Sequence, residues 1–281
     1  MAVPTIVSRT VPVPALDEAQ ARSLFALFER YYADVTFPRF LADLREKSHV
    51  LLFFEAEPGR PRRWPGRVIG FSTALRRTLA AVPGAIFLFS GDTVVDAAWQ
   101  GGNLLQRAFF LLMLRTKLRH PIRPVYWMLI SKGYKTYLLL THHFPCGFPR
   151  PDVATPPRLQ RAMDAYYADR YPGAYDARRG VIDFGESHGA VRGRLAEPPP
   201  EARADPGVGF FLARNPGWRA GQELACIAEI RWRDFASHAL AALRPRSRAA
   251  RPARPAPESS PGAAPPNGPV TGAPEVRPGA G

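Results

Sequence analysis

Trp99-Gln100-Gly101-Gly102-Asn103 lies between an apolar run rich in β-branched residues and a long apolar segment with helical character. A helix start leaves backbone N–H groups without partners, and the aligned peptide dipoles add roughly half a positive charge there. Two adjacent glycines remove the side chains that would hold a diphosphate at a distance, so bare amides can bind it directly. An ordinary strand-to-helix turn capped by Asn103 accounts for the same residues. Asn103 tolerates left-handed backbone almost as glycine does.

Other reactive residue types point less far. His142 and His143 sit near a predicted helix end, where the helix dipole stabilises them, so a structural role is expected. No third ligand stands at metal-like spacing, and no metal is expected. Cys146 follows closely, but a cysteine near a histidine in sequence does not define a dyad, which is a matter of spatial arrangement. Cys146 and Cys226 are the two cysteines, too few for a disulfide framework or a cysteine zinc site, which points to a reduced, cytoplasmic compartment.

The elements around these residues follow from periodicity. Leu16-Asp17-Glu18 opens a helix that carries Leu24, Phe25, Leu27, Phe28 and Tyr31, and Phe37 to Arg45 predicts a second. His49 to Glu55 and Arg67 to Leu75 read as strands joined by the turn-rich Pro58 to Gly66. Ala85 to Val95 is a further strand, interrupted at Ser90-Gly91. The helix Leu104 to Leu118 is apolar nearly all round, which fits burial on more than one side; a tunnel for a long acyl chain is the alternative. Val125 to Ile130 predicts a short buried strand and Tyr134 to Phe144 another helix. Beyond Pro149 the pattern predicts a helix over Pro157 to Asp169, strands over Gly180 to Phe184, Gly207 to Ala213 and Glu223 to Ile230, and a closing helix over Asp234 to Leu243. Asn215-Pro216-Gly217 is a strong turn signal.

Three segments result: residues 1–150, an extension over 151–244, and a Pro/Ala/Arg-rich tail over 245–281 with too little apolar surface to offset the entropy of ordering it. The chain of 281 residues carries a net charge of +14, but only four of its 38 basic residues are lysines, and 31 residues are proline. That bias fits GC-rich coding, so the basic excess is weak support for nucleic acid, which is not an expected partner. The longest unbroken apolar run, Ala108 to Leu114, falls well short of the ~18 residues of a membrane span. The opening MAVPTIVSRTVPVP shows no basic patch followed by an apolar core, so no secretory signal is expected.

The order helix, helix, strand, strand, strand, glycine turn, helix, strand, helix resembles the GCN5-related N-acetyltransferase (GNAT) superfamily over about residues 16–149. That family's phosphate-cradling turn has the form Gln/Arg-x-x-Gly-x-Gly/Ala. Here Gln100 stands at the first position, Gly101 and Gly102 fill the next two, Asn103 replaces the first fixed glycine, and Leu105 stands where the family has Gly or Ala. The resemblance implies an α/β fold, a mixed sheet flanked by helices, with a C-terminal α+β extension and a disordered tail. It also implies that the strand before the turn splays from Val125 to Ile130 to admit a pantetheine arm.

By that resemblance, the cofactor-binding set is Thr93, Val94, Val95, Gln100, Gly101, Gly102, Asn103, Leu104 and Ser131. The co-substrate would be acetyl-CoA or a longer acyl-CoA, or an acyl carrier protein with the same arm, and the acceptor a small-molecule or peptide amine. Asp92 is the first candidate for the base that takes the amine proton and Glu55 the second; Tyr134 and Tyr137 are candidates to protonate the departing thiolate. A GNAT-shaped binding scaffold without catalysis is the alternative, favoured by Leu105 and by the register of the two tyrosines.

Overall fold

Apolar runs too long for a turn and too short for a span pair edge to edge in the computed structural model, which describes residues 5–99, 104–185 and 197–235. Among these residues nine strands join in one sheet: β1 (Ile6–Pro12), β2 (His49–Ala56), β3 (Gly66–Arg77), β4 (Ile86–Val95), β5 (Val125–Ser131), β6 (Gly147–Phe148), β7 (Tyr175–Asp176), β8 (Val181–Ile182) and β9 (Glu223–Glu229). Their order is β1-β2-β3-β4-β5-β9-β8-β7, with β6 also on β9. All neighbours are antiparallel except β4 and β5, which run parallel and need the crossover that the long helix supplies. β9 comes late in the chain yet pairs with β5 from Tyr126–Glu229 to Ser131–Leu224. The mixed sheet flanked by helices is the expected fold class.

The helices are α1 (Glu18–Phe28), α2 (Phe37–Glu46), α3 (Leu104–Arg119), α4 (Tyr134–His143), α5 (Pro157–Arg170) and α6 (Pro206–Arg214). Side-chain alternation along the strands sorts them into two layers. Val50, Leu52, Phe71 and Val94 meet α1 and α2, and Phe87, Phe89, Met128 and Ile227 on the same face meet α5. Leu88, Trp127, Leu129 and Cys226 on the other face meet α3, α4 and α6. Leu105 packs against this second core, so its bulk is absorbed by the protein. No helix among the described residues is long and apolar enough to cross a membrane.

α1 starts where the sequence places it. Asp17 Oδ1 accepts the Gln20 N–H at 2.8 Å, and Gln20 Oε1 accepts the Asp17 N–H at 3.2 Å, a reciprocal capping box. Asp17→Ala is expected to lower stability by about 1 kcal/mol, read as a fall in the thermal midpoint with activity unchanged.

Two of the longer elements differ from the sequence reading, which also lacks the two-residue strands β6 and β7. Residues Gly207 to Ala213, expected as a strand, belong to α6. A short apolar run fits either period, and the flanks decide: Pro206 occupies the first turn and Asp205 Oδ1 accepts the Gly207 N–H at 2.7 Å. β1, which the sequence reading lacks, is a largely exposed edge strand paired along the whole of β2, so little apolar alternation marks it. The predicted closing helix is described only to Phe235; the rest of it and the tail over 245–281 lie outside the described residues.

Candidate active site

β4 and β5 pair from Ile86–Val125 to Ser90–Leu129, and there the ladder stops. β4 runs on to Val95 along β3, and β5 runs on to Ser131 along β9, so the two part company at Ser90. A bulge at the same place changes which way β4 faces. Ser72 opposes Thr93 and Ala74 opposes Ser90, which leaves Thr73 alone opposite both Gly91 and Asp92. Ser90 points to the α3 layer, where its hydroxyl accepts the Trp127 indole N–H at 2.9 Å. Strict alternation would send Asp92 the same way; the extra residue turns it toward α2, where it lies within hydrogen-bond reach of Asp43.

Gly91 makes the bulge possible. A Cβ there would stand 2.5 Å from Thr73 Oγ1 and 2.8 Å from Lys47 Cε. A cavity of about 460 Å3 opens over this point, walled by α1 and α2 on one side and by the end of α5 on the other. Phe40, Phe89 and Tyr171 give it aromatic walls. Arg170 of α5 and Glu46 of α2, both lining residues, form an ion pair across it.

Five ionisable groups lie at its floor. Lys47, whose side chain is 2% exposed, places Nζ 2.5 Å from Asp43 Oδ1. Despite partial desolvation, that pair and its hydrogen bond hold Asp43 below the usual carboxylate range. Lys132 Nζ lies 3.5 Å from Glu223 Oε1 and 5.4 Å above the Tyr32 ring. Burial pushes Glu223 up, against the pull of Lys132. Asp92 forms no ion pair with a basic side chain among the described residues. Enclosure first, then repulsion from Asp43, raise it to about 7, and Lys132 and Lys47 only partly offset this. A carboxyl that exchanges its proton near neutrality can act as a base or an acid there.

The residues that the sequence reading singled out are dispersed. Asp92 lines the cavity. The Thr93 carbonyl accepts the Tyr32 hydroxyl at 3.4 Å, and its side chain lies 2.6 Å from Ser72 Oγ. Val94 is buried against the α1–α2 core, and Val95 pairs with Gly70. Ser131, at the end of β5, is buried, and its hydroxyl has no partner among the described residues. Leu104 begins α3 and is half-buried. Gln100, Gly101, Gly102 and Asn103 lie outside the described residues.

Three candidates are not brought to the cavity. Glu55 Oε2 accepts from Arg67 at 2.8 Å on the β2–β3 pair, a surface ion pair. Tyr134 is buried in the α3–α4–α6 core. Tyr137 donates its hydroxyl to the Pro149 carbonyl at 3.0 Å and packs on Phe210 and Phe211. Burial raises both tyrosines further, so neither gives up a proton readily. Tyr137→Phe is expected to cost about 1 kcal/mol of stability and to leave turnover within twofold, measured by thiol release.

His142 lies 3.1 Å from Asp205 Oδ2, and burial pushes the Cys146 thiol up, away from nucleophilic use. Among the described residues no group of three or more His, Cys, Asp or Glu is placed to hold a metal. Sequence reasoning missed Asp43, Lys47, Lys132, Glu223 and Tyr32. One signal was there: in a chain with four lysines, two of them, Lys47 and Lys132, line this cavity.

No protein-family model and no curated protein matches the chain. Among solved structures it is similar to a GNAT family N-acetyltransferase of Escherichia coli in complex with CoA, at 16% identity and a TM-score of 0.34, over 51% of this chain and 74% of that one. An acetyltransferase of Trypanosoma brucei matches at 17% identity and 0.35, over 53% and 96%. An acyl-CoA N-acyltransferase of Pseudomonas aeruginosa matches at 12% and 0.34, over 50% and 88%. Overlaps this slight bear on neither activity nor acceptor; the parted strands and the carboxyl between them are features of this chain itself. The described residues form a mixed sheet flanked by helices.

Proposed function

We propose that the protein transfers an acyl group from an acyl-CoA thioester to an amine by direct attack, with Asp92 as the general base. The observation that carries this reading is a carboxyl titrating at about 7, placed where β4 and β5 separate and facing a cavity large enough for an acceptor. The donor is acetyl-CoA or a longer acyl-CoA, or an acyl carrier protein presenting the same pantetheine arm. The stretch of β4 beyond Ser90 has no ladder to β5, which fits an amide-bearing arm laid between them. Ser131, whose buried hydroxyl has no partner among the described residues, ends β5 beyond the point where that ladder stops. Gln100 to Asn103 is the assigned place for the diphosphate, by resemblance.

The acceptor is a small-molecule or peptide amine that enters the cavity as an ammonium ion. Asp92 takes one proton from it, and the freed lone pair attacks the thioester carbonyl. The C–N bond forms to give a tetrahedral centre, its collapse breaks the C–S bond, and the departing thiolate takes the amine's second proton. An alkyl thiol ionises at ~8.5, so the thiolate leaves with modest help, which suits a site where Tyr134 and Tyr137 are committed elsewhere. Lys47 and Lys132 keep the floor from accumulating negative charge when Asp92 ionises. Much of the acceleration then comes from positioning.

The competing reading is a scaffold that binds the donor without turnover, and the placement of both tyrosines in the core favours it. Calorimetry with acetyl-CoA and octanoyl-CoA, followed by thiol release against a panel of primary amines, separates the two. Binding with turnover supports transfer, binding without turnover supports the scaffold, and no binding at millimolar thioester removes both. Gly102→Glu is expected to abolish binding by placing a carboxylate at the assigned diphosphate turn; retained affinity moves the site elsewhere.

A further inference from the structure

On the face of the sheet opposite the cleft, the last two turns of α3 lie over β1, β2 and β3 and border a second, open cavity of about 220 Å3, at which Arg76, Arg115 and Arg119 are solvent-exposed. Arg115 and Arg119, four residues apart on one side of α3, meet Arg76 of β3 and His49 of β2 there. Thr10 of β1 completes the polar lining, because the Thr116 hydroxyl is already given to the Leu112 carbonyl at 2.8 Å. No carboxylate lines this cavity. Arg22, Arg60, Arg77 and Arg158 each hold an acidic partner, whereas Arg76, Arg115 and Arg119 form no ion pair with a described residue.

Three like charges around one cavity repel one another, and no described carboxylate lies among them; being exposed, they are relieved only by solvent and its ions. His49 registers the same field: partial burial, then the charges of Arg76 and Arg119, push its imidazole below the ordinary histidine value. Guanidinium forks match phosphate oxygens in pairs. The volume is several times the ~30 Å3 share of a water molecule in the liquid, enough for more than one phosphoryl group but not for a flat duplex surface. We propose that this cavity is an anion site, separate from the cleft, that takes a small phosphate anhydride: a free diphosphate, or the diphosphate end of a nucleotide. Its several negative charges match the three guanidiniums. The site stands independently of the acyl-transfer reading, since none of its residues lines the cleft.

The test is an NMR titration of imidazole signals in the full chain, with His49 assigned by His49→Gln and inorganic pyrophosphate as the probe. Pyrophosphate is expected to raise the His49 pKa, because the anion offsets Arg76 and Arg119, and to bind at least tenfold more weakly to Arg115→Gln/Arg119→Gln. Without ligand, Arg119→Gln alone is expected to raise the His49 pKa, and an unchanged thermal midpoint shows that the variants keep the fold; Arg76→Gln serves as a second route to the same loss. ADP in place of pyrophosphate distinguishes a nucleotide end from a free diphosphate: a shift with both supports a nucleotide, and a shift with pyrophosphate alone a free ion. No movement of His49 at millimolar pyrophosphate overturns the proposal. So does equal affinity in the double variant, or a response to duplex DNA alone, which would make this face a nucleic-acid surface instead.

Discussion

Asp92→Asn is expected to lower kcat/KM for acyl transfer by about 10²- to 10⁴-fold, the usual worth of a positioned general base, while thioester affinity changes little. In the parent protein kcat/KM is expected to rise with pH through an inflection near 7, because Asp92 must be ionised to take a proton and is held at about 7. The asparagine variant loses that limb. Stability moves the opposite way. The folded chain keeps a proton on Asp92 that the unfolded chain, with its carboxyl near 3.8, has already released. Folding therefore loses stability as pH rises from about 4 to 7, and asparagine abolishes the loss. At pH 8 the variant is expected to be more stable than the parent by on the order of 1–3 kcal/mol, visible as a higher midpoint in thermal melts. An inactive protein that melts higher separates a base from a merely structural carboxyl. A variant of unchanged activity removes Asp92 from the reaction.

Lys47→Met is expected to shift the inflection of the pH profile upward by about one unit. Lys47 pulls down both Asp43 and Asp92; without it the two carboxyls face each other with only Lys132 acting on Asp92 and Arg170 on Asp43, and the shared proton is held more tightly. Activity at pH 7 falls accordingly and returns toward the parent value at pH 8.5. The stability cost is modest for a buried ammonium. The Asp43 side chain is 41% exposed and is re-solvated once its partner is gone, so the loss is nearer 1 kcal/mol than the ~3–5 of a pair sealed from water. A drop in activity with no movement of the inflection would mean that Lys47 shapes the cavity without tuning Asp92.

Much of the frame can be read along the chain, because strands such as Val125–Ser131 are buried on both faces and appear as unbroken apolar runs. The break at Ser90-Gly91 is visible too, and Asp92 can be singled out beside it. What it does to the side-chain direction is not visible, since the bulge depends on Thr73 opposing two residues of another strand. The partners of Asp92 are hidden for a different reason. Asp43 and Lys47 belong to an amphipathic helix and its end, Lys132 to a loop and Glu223 to a strand start, and singly each looks like a solvated surface charge. Only the topology brings four distant segments to one floor. Tyr137 misleads in the opposite sense: its helix is correctly placed, but its hydroxyl is taken by the carbonyl of Pro149.

The position of β9 has a consequence for biosynthesis. Until residue 229 has emerged from the ribosome, the long apolar edge of β5 has no neighbour on that side, and Glu223 is missing from around Lys132. The first 150 residues can collapse during translation, but they hold an open template for a second nascent chain. A product stopped at Pro149 should therefore accumulate in inclusion bodies, and its solubility should return when a peptide spanning 206–235 is co-expressed to fill the gap.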